Sequence, residues 1–292
     1  MTRKFCIWIC MFFSVIVSAQ TIKIPLRKYR VAFLSDSLKE TSGLCFLNQK
    51  LHTFNDGGNP NELYHIDKKT GKIIQKLPTS FPNIDWEAIA TDSTFIYLGD
   101  FGNNSGKRQD LCIYKLSLSQ NTKDENFLKI NFEYQLPKNY EPQNLKHDFD
   151  AEALIYHHQK LHLFTKEWKN KATSRYLINP NASEKQILQK LESYKTNFLV
   201  TDAAFYDKKL YLVGYNKKGN CFLFIFDENS DGLFFSNPPK KFKLGSVLTI
   251  GQIEGIAINS EGLYLSSENI SKFIFNRKPS LYFVPFSALK EN

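Results

Sequence analysis

The sequence predicts an all-β protein that folds as a single β-propeller with five blades. Three observations support this prediction: a pair of short strands recurs five times, the copies lie 45 to 65 residues apart, and the chain is rich in apolar and aromatic residues. Of 292 residues, 42% are hydrophobic and 14% aromatic, which excludes a disordered or collagen-like chain. Periods of this size, built from short alternating strands, are typical of propeller blades.

Each repeat has the same order of elements. A small or acidic residue opens an apolar strand, and a polar turn, a second strand and a loop rich in Asp, Glu, Asn and Gly follow. The equivalent first-strand positions are predicted to be Leu44, Ile89, Leu154, Ala204 and Ile256. The second strands are predicted at 50–54, 95–98, 160–164, 209–213 and 262–265. These paired strands form the inner half of each blade.

The outer half of each blade comes from strands that follow the polar loops. Third strands are predicted at 62–67, 111–118, 175–179, 222–227 and 281–286. Fourth strands are predicted at 73–77, 128–136, 187–191 and 241–244. The fifth repeat lacks a fourth strand of its own, and residues 29–34 precede the first repeat, so we expect them to complete the last blade. Such closure removes exposed sheet edges. The alternative is a six-bladed ring with a degenerate blade inside the 65-residue interval.

The N-terminus has the pattern of a secretory signal peptide over residues 1–19, which leaves residues 20–292 as the propeller domain. Arg3 and Lys4 form a basic n-region, the next 13 residues are almost unbroken in their apolar character, and Ala19 is the small residue that signal peptidase favours. The alternative is an uncleaved anchor, but a span needs roughly 20 apolar residues. We therefore expect a secreted protein, periplasmic or at the cell surface, with no membrane span after cleavage.

Charge and cysteine content limit the partners. Without residues 1–19 the chain keeps 36 of its 38 Lys and Arg against 29 Asp and Glu. The basic excess is not concentrated in one arm, so nucleic acid is not expected as a partner. We expect the partner to be a small anionic ligand or an envelope protein. We also expect the protein to be a monomer. Cys45, Cys112 and Cys221 are too few and sparse for a disulfide framework, so they are predicted to be buried free thiols.

Acidic residues recur where the inner strand begins and where the second strand ends, two positions that converge on one mouth of a propeller channel. The first set is Ser42, Glu87, Glu152, Asp202 and Glu254. The second set is Asp56, Asp100, Glu167, Asn216 and Glu268. Crowded carboxylates raise one another's pKa unless a cation lies among them. Because neither set contains His or Cys, the sequence predicts a Ca²⁺ ion, with Mg²⁺ as the second choice. The alternative is that each carboxylate accepts backbone hydrogen bonds and joins adjacent blades.

Other candidate residues lie close to these sets in sequence. Asp85 and Asp150 precede two of the glutamates by two positions and could form an outer ligand shell. Three basic residues could bind an anionic group near the metal: Lys107, Arg108 and Lys166. Three aromatic residues could line the mouth or pack beneath its loops: Trp86, Phe101 and Trp168. No glycine-rich phosphate loop, nucleophile elbow or zinc-binding Cys/His spacing occurs.

Four blade starts carry a resemblance to known propellers: Glu40-Thr41-Ser42-Gly43-Leu44, Asp85-Trp86-Glu87-Ala88-Ile89, Asp150-Ala151-Glu152-Ala153-Leu154 and Ile253-Glu254-Gly255-Ile256-Ala257. They resemble the blade starts of the SdiA-regulated and phytase-like (esterase-like) propellers, and they are similar to those of the calcium-activated nucleotidase (apyrase) propeller, which surround a central Ca²⁺. The resemblance implies that the metal-facing residues are Glu87, Glu152, Asp202 and Glu254. Ser42 departs from this pattern because it lacks a carboxylate. The loop 99–104 resembles loops of secreted propellers from Bacteroidetes-type bacteria.

Two functions of different classes follow from these residues. The first is a secreted calcium-binding propeller that acts as a binding or scaffold module at the bacterial cell envelope. The second is a metal-dependent hydrolase of phosphate esters or anhydrides, phytase- or apyrase-like, in which Glu152 or Glu87 activates water and Lys166 or Arg108 neutralises the leaving group. A propeller fold does not choose between them.

Overall fold

Five β-sheets form the blades of a propeller. The computed structural model describes residues 21–117, 127–272 and 275–290, and the predicted signal peptide lies outside them. Two short strands, β1 (Thr21–Lys23) and β2 (Arg30–Phe33), precede the first blade. The all-β class and the count of five blades are confirmed.

Each blade consists of four strands that pair in antiparallel fashion. The first blade contains β3 (Thr41–Leu47), β4 (Lys50–Asn55), β5 (Glu62–Ile66) and β6 (Ile73–Pro78). The second contains β7 (Trp86–Thr91), β8 (Phe95–Asp100), β9 (Cys112–Ser117) and β10 (Phe127–Tyr134). The third contains β11 (Ala151–His157), β12 (Lys160–Thr165), β13 (Thr173–Ile178) and β15 (Lys190–Tyr194), and the short β14 (Gln186–Leu188) precedes its last strand.

The remaining two blades bring the ends of the described chain together. The fourth contains β16 (Leu199–Tyr206), β17 (Lys209–Tyr215), β18 (Asn220–Asp227) and β19 (Lys240–Ser246). The fifth contains β20 (Gln252–Ile258), β21 (Gly262–Glu268), β24 (Ser280–Pro285) and β2, and a hairpin of β22 (Ile270–Lys272) and β23 (Phe275–Arg277) leaves it between β21 and β24. The helical elements of the described residues are short. They are α1 (Val247–Ile250) and three 3-10 segments, Leu26–Tyr29, Asp36–Leu38 and Phe286–Leu289.

The innermost strands close a ring. Each contacts the inner strand of the next blade, in the order β3, β7, β11, β16, β20 and back to β3. Neighbouring blades therefore cover both faces of an inner strand, and β7 and β11 are buried over most of their length. Outer strands face solvent and carry more polar residues, as in β6. This difference in burial explains why the inner strands are almost continuously apolar.

The predicted closure through the N-terminus is confirmed. The expected strand at 29–34 is β2, which pairs antiparallel with β24. Two further strands extend blades at their outer edges in parallel pairing, β1 beside β19 and β14 beside β10. They cover edges that would otherwise be open to pairing with other chains.

The prediction of the outer strand at 187–191 is wrong in its bounds. The expected strand at 187–191 is divided: β14 belongs to the second blade, and only β15 completes the third. The physical reason is the burial of Leu188, which packs in the core cluster between these blades.

The alignment of the fourth repeat is also shifted by one residue. The apolar end of the channel is lined at one level by Leu44, Ile89, Leu154, Ala203 and Ile256, so Ala203 and not Ala204 is the equivalent position. Every inner strand carries a β-bulge near its start, and in β16 this bulge lies between Val200 and Asp202. The skipped residue of this strand is Thr201, whereas the skipped residues of three other blades are glutamates, so matching Asp202 to those glutamates displaced the repeat by one residue.

The core lies between blades and includes the N-terminal segment. The predicted free thiols of Cys45, Cys112 and Cys221 are confirmed and buried. Leu26 is fully buried in the cluster shared by the fourth and fifth blades. Among the described residues, no helix has both the length and the apolar character needed to cross a membrane.

Because Leu26 is part of this cluster, Leu26→Ala should lower the free energy of unfolding by about 2–5 kcal/mol, the range for a buried leucine. The matched control is Leu191→Ala at an exposed position, which should change it by less than about 0.5 kcal/mol. Urea unfolding of both variants measures the difference. Equal, small losses would show that the N-terminal segment does not pack into the core.

Candidate functional site at the channel mouth

Three buried glutamates open into one mouth of the channel, and each is the extra residue of a β-bulge. Glu87 lies between residues whose strand pairing skips it, and Glu152 and Glu254 occupy the same place in their blades. A bulge bends the strand and re-aims the side chain of the unpaired residue. The three side chains are 4–6% exposed. The strand register therefore places carboxylates of the second, third and fifth blades at one mouth.

The fourth blade differs from the predicted pattern. Its bulged residue is Thr201, whose Oγ1 donates a hydrogen bond of 2.7 Å to the Ile253 carbonyl. Asp202, one position later, is fully buried and accepts hydrogen bonds from the backbone N–H groups of Ala203 (2.8 Å) and Ile256 (2.7 Å). Burial raises the pKa of Asp202 well above its ordinary value. Asp202 thus joins the fourth and fifth blades, as the alternative interpretation of the carboxylates expects.

The side chain of Lys166 lies among these carboxylates. Its Nζ donates a hydrogen bond to Glu152 and lies 5.0 Å from the centre of the Trp168 ring. Burial alone would lower the pKa of Lys166, but nearby negative charges, above all Glu152, raise it well above its ordinary value. The neighbouring carboxylates therefore favour the charged form of Lys166. It supplies a positive charge of the kind that crowded carboxylates require.

The carboxylates at the mouth remain in excess over this ammonium. Burial raises the pKa of Glu87, and the neighbouring charge of Glu152 raises it further. The pKa of Glu268 is likewise raised by burial and then by Glu254 and Asp56. Burial also raises the pKa of Glu254. The mouth is consequently a desolvated region with a strong preference for positive charge.

Asp85 and Asp56 extend this acidic region toward the loops. Burial raises the pKa of Asp85 to about 6 and that of Asp56 to about 7. Asp85 lies tightly against two glycines: a Cβ added at Gly102 would lie 2.4 Å from its Oδ2, and one at Gly57 would lie 2.4 Å from its Oδ1. The same position at Gly102 is 2.6 Å from Glu87 Oε1. These glycines in the polar loops make room for the carboxylates.

Several other residues predicted for the site have structural partners elsewhere. Asp100 is fully buried and accepts a hydrogen bond of 2.8 Å from Arg108 Nη2, while Arg108 Nε bonds Asp110 at 3.0 Å. Glu167 accepts a hydrogen bond of 2.6 Å from Ser174 Oγ. These contacts hold loops and strands in place.

The outer-shell and aromatic candidates also stabilise the loops. Asp150 is fully buried and accepts hydrogen bonds of 2.7 Å from the Asn103 backbone and from Trp168 Nε1. Trp86 and Phe101 are fully buried, so they pack beneath the loops and do not form a wall at the mouth. Lys107 is exposed.

The carboxylate oxygens at the mouth are ligands that suit a hard cation, but in this structure they do not surround one common point. Carboxylate oxygens are the ligands that Ca²⁺ prefers. Within the described residues, however, no three of the channel carboxylates bring ligand atoms within 4.8 Å of one another. Closure around an ion would need side-chain movement, and Glu152 would have to release Lys166 if it were a ligand.

Two residues of the mouth were missed from the sequence. Gln252 Nε2 donates hydrogen bonds to Glu254 (2.6 Å) and Glu268 (3.5 Å). Tyr215 lies 5.8 Å, ring centre to Nζ, from Lys166. The sequence could have indicated Gln252, because it precedes Glu254 by two positions, as Asp85 precedes Glu87. No sequence pattern indicated Tyr215, because it lies at the end of an ordinary apolar strand.

Comparisons with known proteins support the fold alone. No protein-family model matches the chain, and no curated protein shows significant similarity to it. Among solved structures, a hypothetical protein from Leishmania major is similar, with 10% sequence identity, a TM-score of 0.50, and coverage of 88% of this chain and 91% of that chain.

Two further structures are more distantly similar. YjhT shows 14% identity and a TM-score of 0.43, with coverage of 78% of this chain and 71% of that chain. The mitotic checkpoint complex shows 12% identity and a TM-score of 0.39, with coverage of 83% and 61%. Fold and site together define a five-bladed β-propeller with an acidic channel mouth. The resemblance to SdiA-regulated, phytase-like or apyrase propellers stays a prediction.

The raised pKa values of Asp56 and Asp85 predict a pH-dependent stability in the presence of a chelator. In the folded chain these carboxyl groups keep protons that the unfolded chain releases near pH 3.9, so their contribution is largest at low pH and is lost as pH rises through about 6 to 7. Asp56→Asn should reduce this loss. Urea unfolding at about pH 5 and about pH 7.5 measures it.

The control for this experiment is Asp231→Asn, a change at an exposed aspartate outside the channel mouth. It should leave the pH dependence of the free energy of unfolding as in the unmodified chain. An unmodified chain that gains stability between these two pH values, with Asp56→Asn behaving identically, would contradict the assignment.

Proposed function

We propose that this chain is a secreted β-propeller of the bacterial cell envelope that binds a cation, Ca²⁺ in preference to Mg²⁺, at its channel mouth and acts as a binding or scaffold module. The observation that carries the proposal is the set of three bulged glutamates, Glu87, Glu152 and Glu254, buried together beside one ammonium group. Burial of like charges is costly, so a cation that neutralises them would stabilise the fold.

The charge at the mouth favours a divalent cation over a second monovalent group. Six carboxylates contribute to it: Asp56, Asp85, Glu87, Glu152, Glu254 and Glu268. In the described part of the chain, the ammonium that lies among them is that of Lys166. A divalent ion held by oxygen ligands would offset more of this charge, and the donor set contains no His or Cys that would favour zinc.

Lys166 would compete with the ion for Glu152. In the absence of a cation, its hydrogen bond to Glu152 keeps that carboxylate paired. The residues left to hold an ion are Glu87, Glu254, Glu268 and Asp56, and Glu152 would join them only after releasing the ammonium. The ion would supply positive charge and an attachment point for an anionic ligand.

The envelope location rests on the signal-peptide pattern of residues 1–19. Expression of the full chain in a bacterium should yield a mature protein that begins at Gln20, because Ala19 closes the cleavage motif. N-terminal sequencing and intact mass of the exported protein measure this. Retention of residues 1–19 on a membrane-bound product would overturn the secreted location.

The alternative function, hydrolysis of phosphate esters or anhydrides, has less support. It assigns Glu152 or Glu87 to water activation and Lys166 or Arg108 to charge neutralisation. Both cations are already paired with carboxylates, Lys166 with Glu152 and Arg108 with Asp100 and Asp110. The arrangement therefore favours cation binding over recognition of phosphate. Phosphate release from nucleotides and phytate, assayed with Ca²⁺ and with EDTA, tests the alternative directly.

Calcium should raise the melting temperature of the mature chain. An ion present at about 100 times its dissociation constant stabilises by about 2.7 kcal/mol. Glu254→Gln should remove most of this calcium-dependent gain, whereas Glu261→Gln, at an exposed glutamate that pairs with Lys68, should retain it. Thermal unfolding in Ca²⁺, in Mg²⁺ and in EDTA measures the gain for each variant.

Lys166→Met gives the sharper result. In EDTA it should destabilise the chain by about 3–5 kcal/mol, because Glu152 loses its buried partner. With the competing ammonium removed, the gain on adding Ca²⁺ should exceed that of the unmodified chain. A loss that Ca²⁺ does not restore, together with no calcium effect in the unmodified chain, would mean that the mouth is a permanent lysine–carboxylate network without a metal.

A further inference from the structure

We propose that His157, His158 and Glu228 form a second metal site, for a transition-metal dication of the Zn²⁺ class, on the face of the propeller opposite the channel mouth. Within the described residues these three bring their ligand atoms within 4.8 Å of one another. His157 Nε2 lies 2.7 Å and His158 Nε2 3.3 Å from the same oxygen, Oε1 of Glu228. The proposal is independent of the calcium site.

The topology separates the two sites. The inner strand β11 begins at the channel mouth, where it carries Glu152, and ends on the other face at His157. His158 follows in the tight turn to β12, where both His158 and Gln159 have positive φ values of 46° and 59°. Glu228 comes from the loop after β18 in the fourth blade. The site therefore bridges two blades.

The distances are close to those that a tetrahedral metal requires. Zinc binds imidazole nitrogen and carboxylate oxygen at about 2.0–2.2 Å, so neighbouring ligand atoms lie about 3.3 Å apart. The separation of His158 Nε2 from Glu228 already has this value, and His157 Nε2 would move away by about half an ångström on metal binding. Two His and one Glu form a known zinc ligand set that leaves a fourth position for water.

Two of the three ligands are held firmly in place. The His157 ring lies 3.8 Å, centre to centre, from both the His158 and the Phe205 rings. The Glu228 backbone N–H donates a hydrogen bond of 3.0 Å to the Lys208 carbonyl. The side chains of His157 and Glu228 are 12% and 10% exposed, and that of His158 is 71% exposed. A pair of fixed ligands with one adjustable ligand can close on an ion without rearranging the fold.

The loop that carries Glu228 has its own anchors. Arg175 Nη1 donates a hydrogen bond of 2.9 Å to the Gly232 carbonyl, and Glu192 accepts hydrogen bonds from the backbone N–H groups of Phe234 and Phe235. The positive charge of Arg175 is paired with Glu192, so Glu228 is left for the two histidines. The loop thus keeps Glu228 aimed at the turn of the third blade.

The test is binding of Zn²⁺ alone to the mature, tag-free chain after treatment with a chelator. Competition calorimetry should show one ion per chain, and Co²⁺ should give the visible absorption bands of a tetrahedral site. His158→Ala should weaken binding by at least the roughly 10- to 100-fold that loss of even an outer-shell partner costs, and this exposed change should not affect folding. Glu228→Gln, which keeps a hydrogen-bond acceptor for His157, should weaken it similarly.

The matched control is His65→Ala, which disrupts the histidine pair of His52 and His65, whose ring centres lie 5.5 Å apart. It should leave Zn²⁺ affinity unchanged, and Glu254→Gln at the channel mouth should also leave it unchanged. Equal affinity in the unmodified chain, His158→Ala and Glu228→Gln would overturn the proposal, as would failure to bind one ion. In either case the three side chains would form only a hydrogen-bonded cluster that joins the two blades.

Discussion

The buried ion pair between Lys166 and Glu152 is the interaction on which the channel mouth depends. Closure of five inner strands into a ring brings their first residues together, and the bulges turn three glutamates inward. Without a cation the desolvated carboxylates would hold protons or repel one another. The ammonium comes from the loop after β12. The third blade therefore supplies the positive charge that allows the carboxylates of neighbouring blades to lie close together. Closure of the ring therefore requires that the charges of these glutamates be offset at the mouth.

Much of the fold could be predicted from the sequence because blade strands repeat at regular intervals with recognisable loops. The bulges could not be predicted, because an extra residue does not change the apolar character of a strand. The fourth repeat was displaced from Ala203 to Ala204 because Asp202 was matched to the glutamates of the other blades, whereas Thr201 is the bulged residue there. The convergence of Glu87, Glu152 and Glu254 followed from blade geometry. Lys166 was expected near these carboxylates, but its pairing with Glu152 could not be predicted. Lys166 and Glu167 are adjacent, and only the backbone register decides which of them faces the channel.

The two faces of the propeller differ in the chemistry that they offer. One mouth presents oxygen ligands in a desolvated, acidic setting. Toward the other face the inner strands line a small cavity of about 120 Å³, and the turn that carries His157 and His158 lies at that end of the third blade's inner strand. The two proposed metal sites thus lie at opposite ends of one strand, β11, whose second residue is Glu152 and whose last residue is His157. Four residues of this strand lie between Glu152 and His157.

The pairing of β2 with β24 has a consequence for the order of folding. Arg30 lies opposite Tyr282, so the fifth blade joins residues from the two extremes of the described chain. The other four blades can pair their strands as soon as each local segment exists, but this one must wait for the last hairpin. Contacts between such distant segments form late and slowly. Until β2 docks, the outer edge of β24 lacks its strand partner, so pairing with the N-terminal segment is the step that completes the last blade.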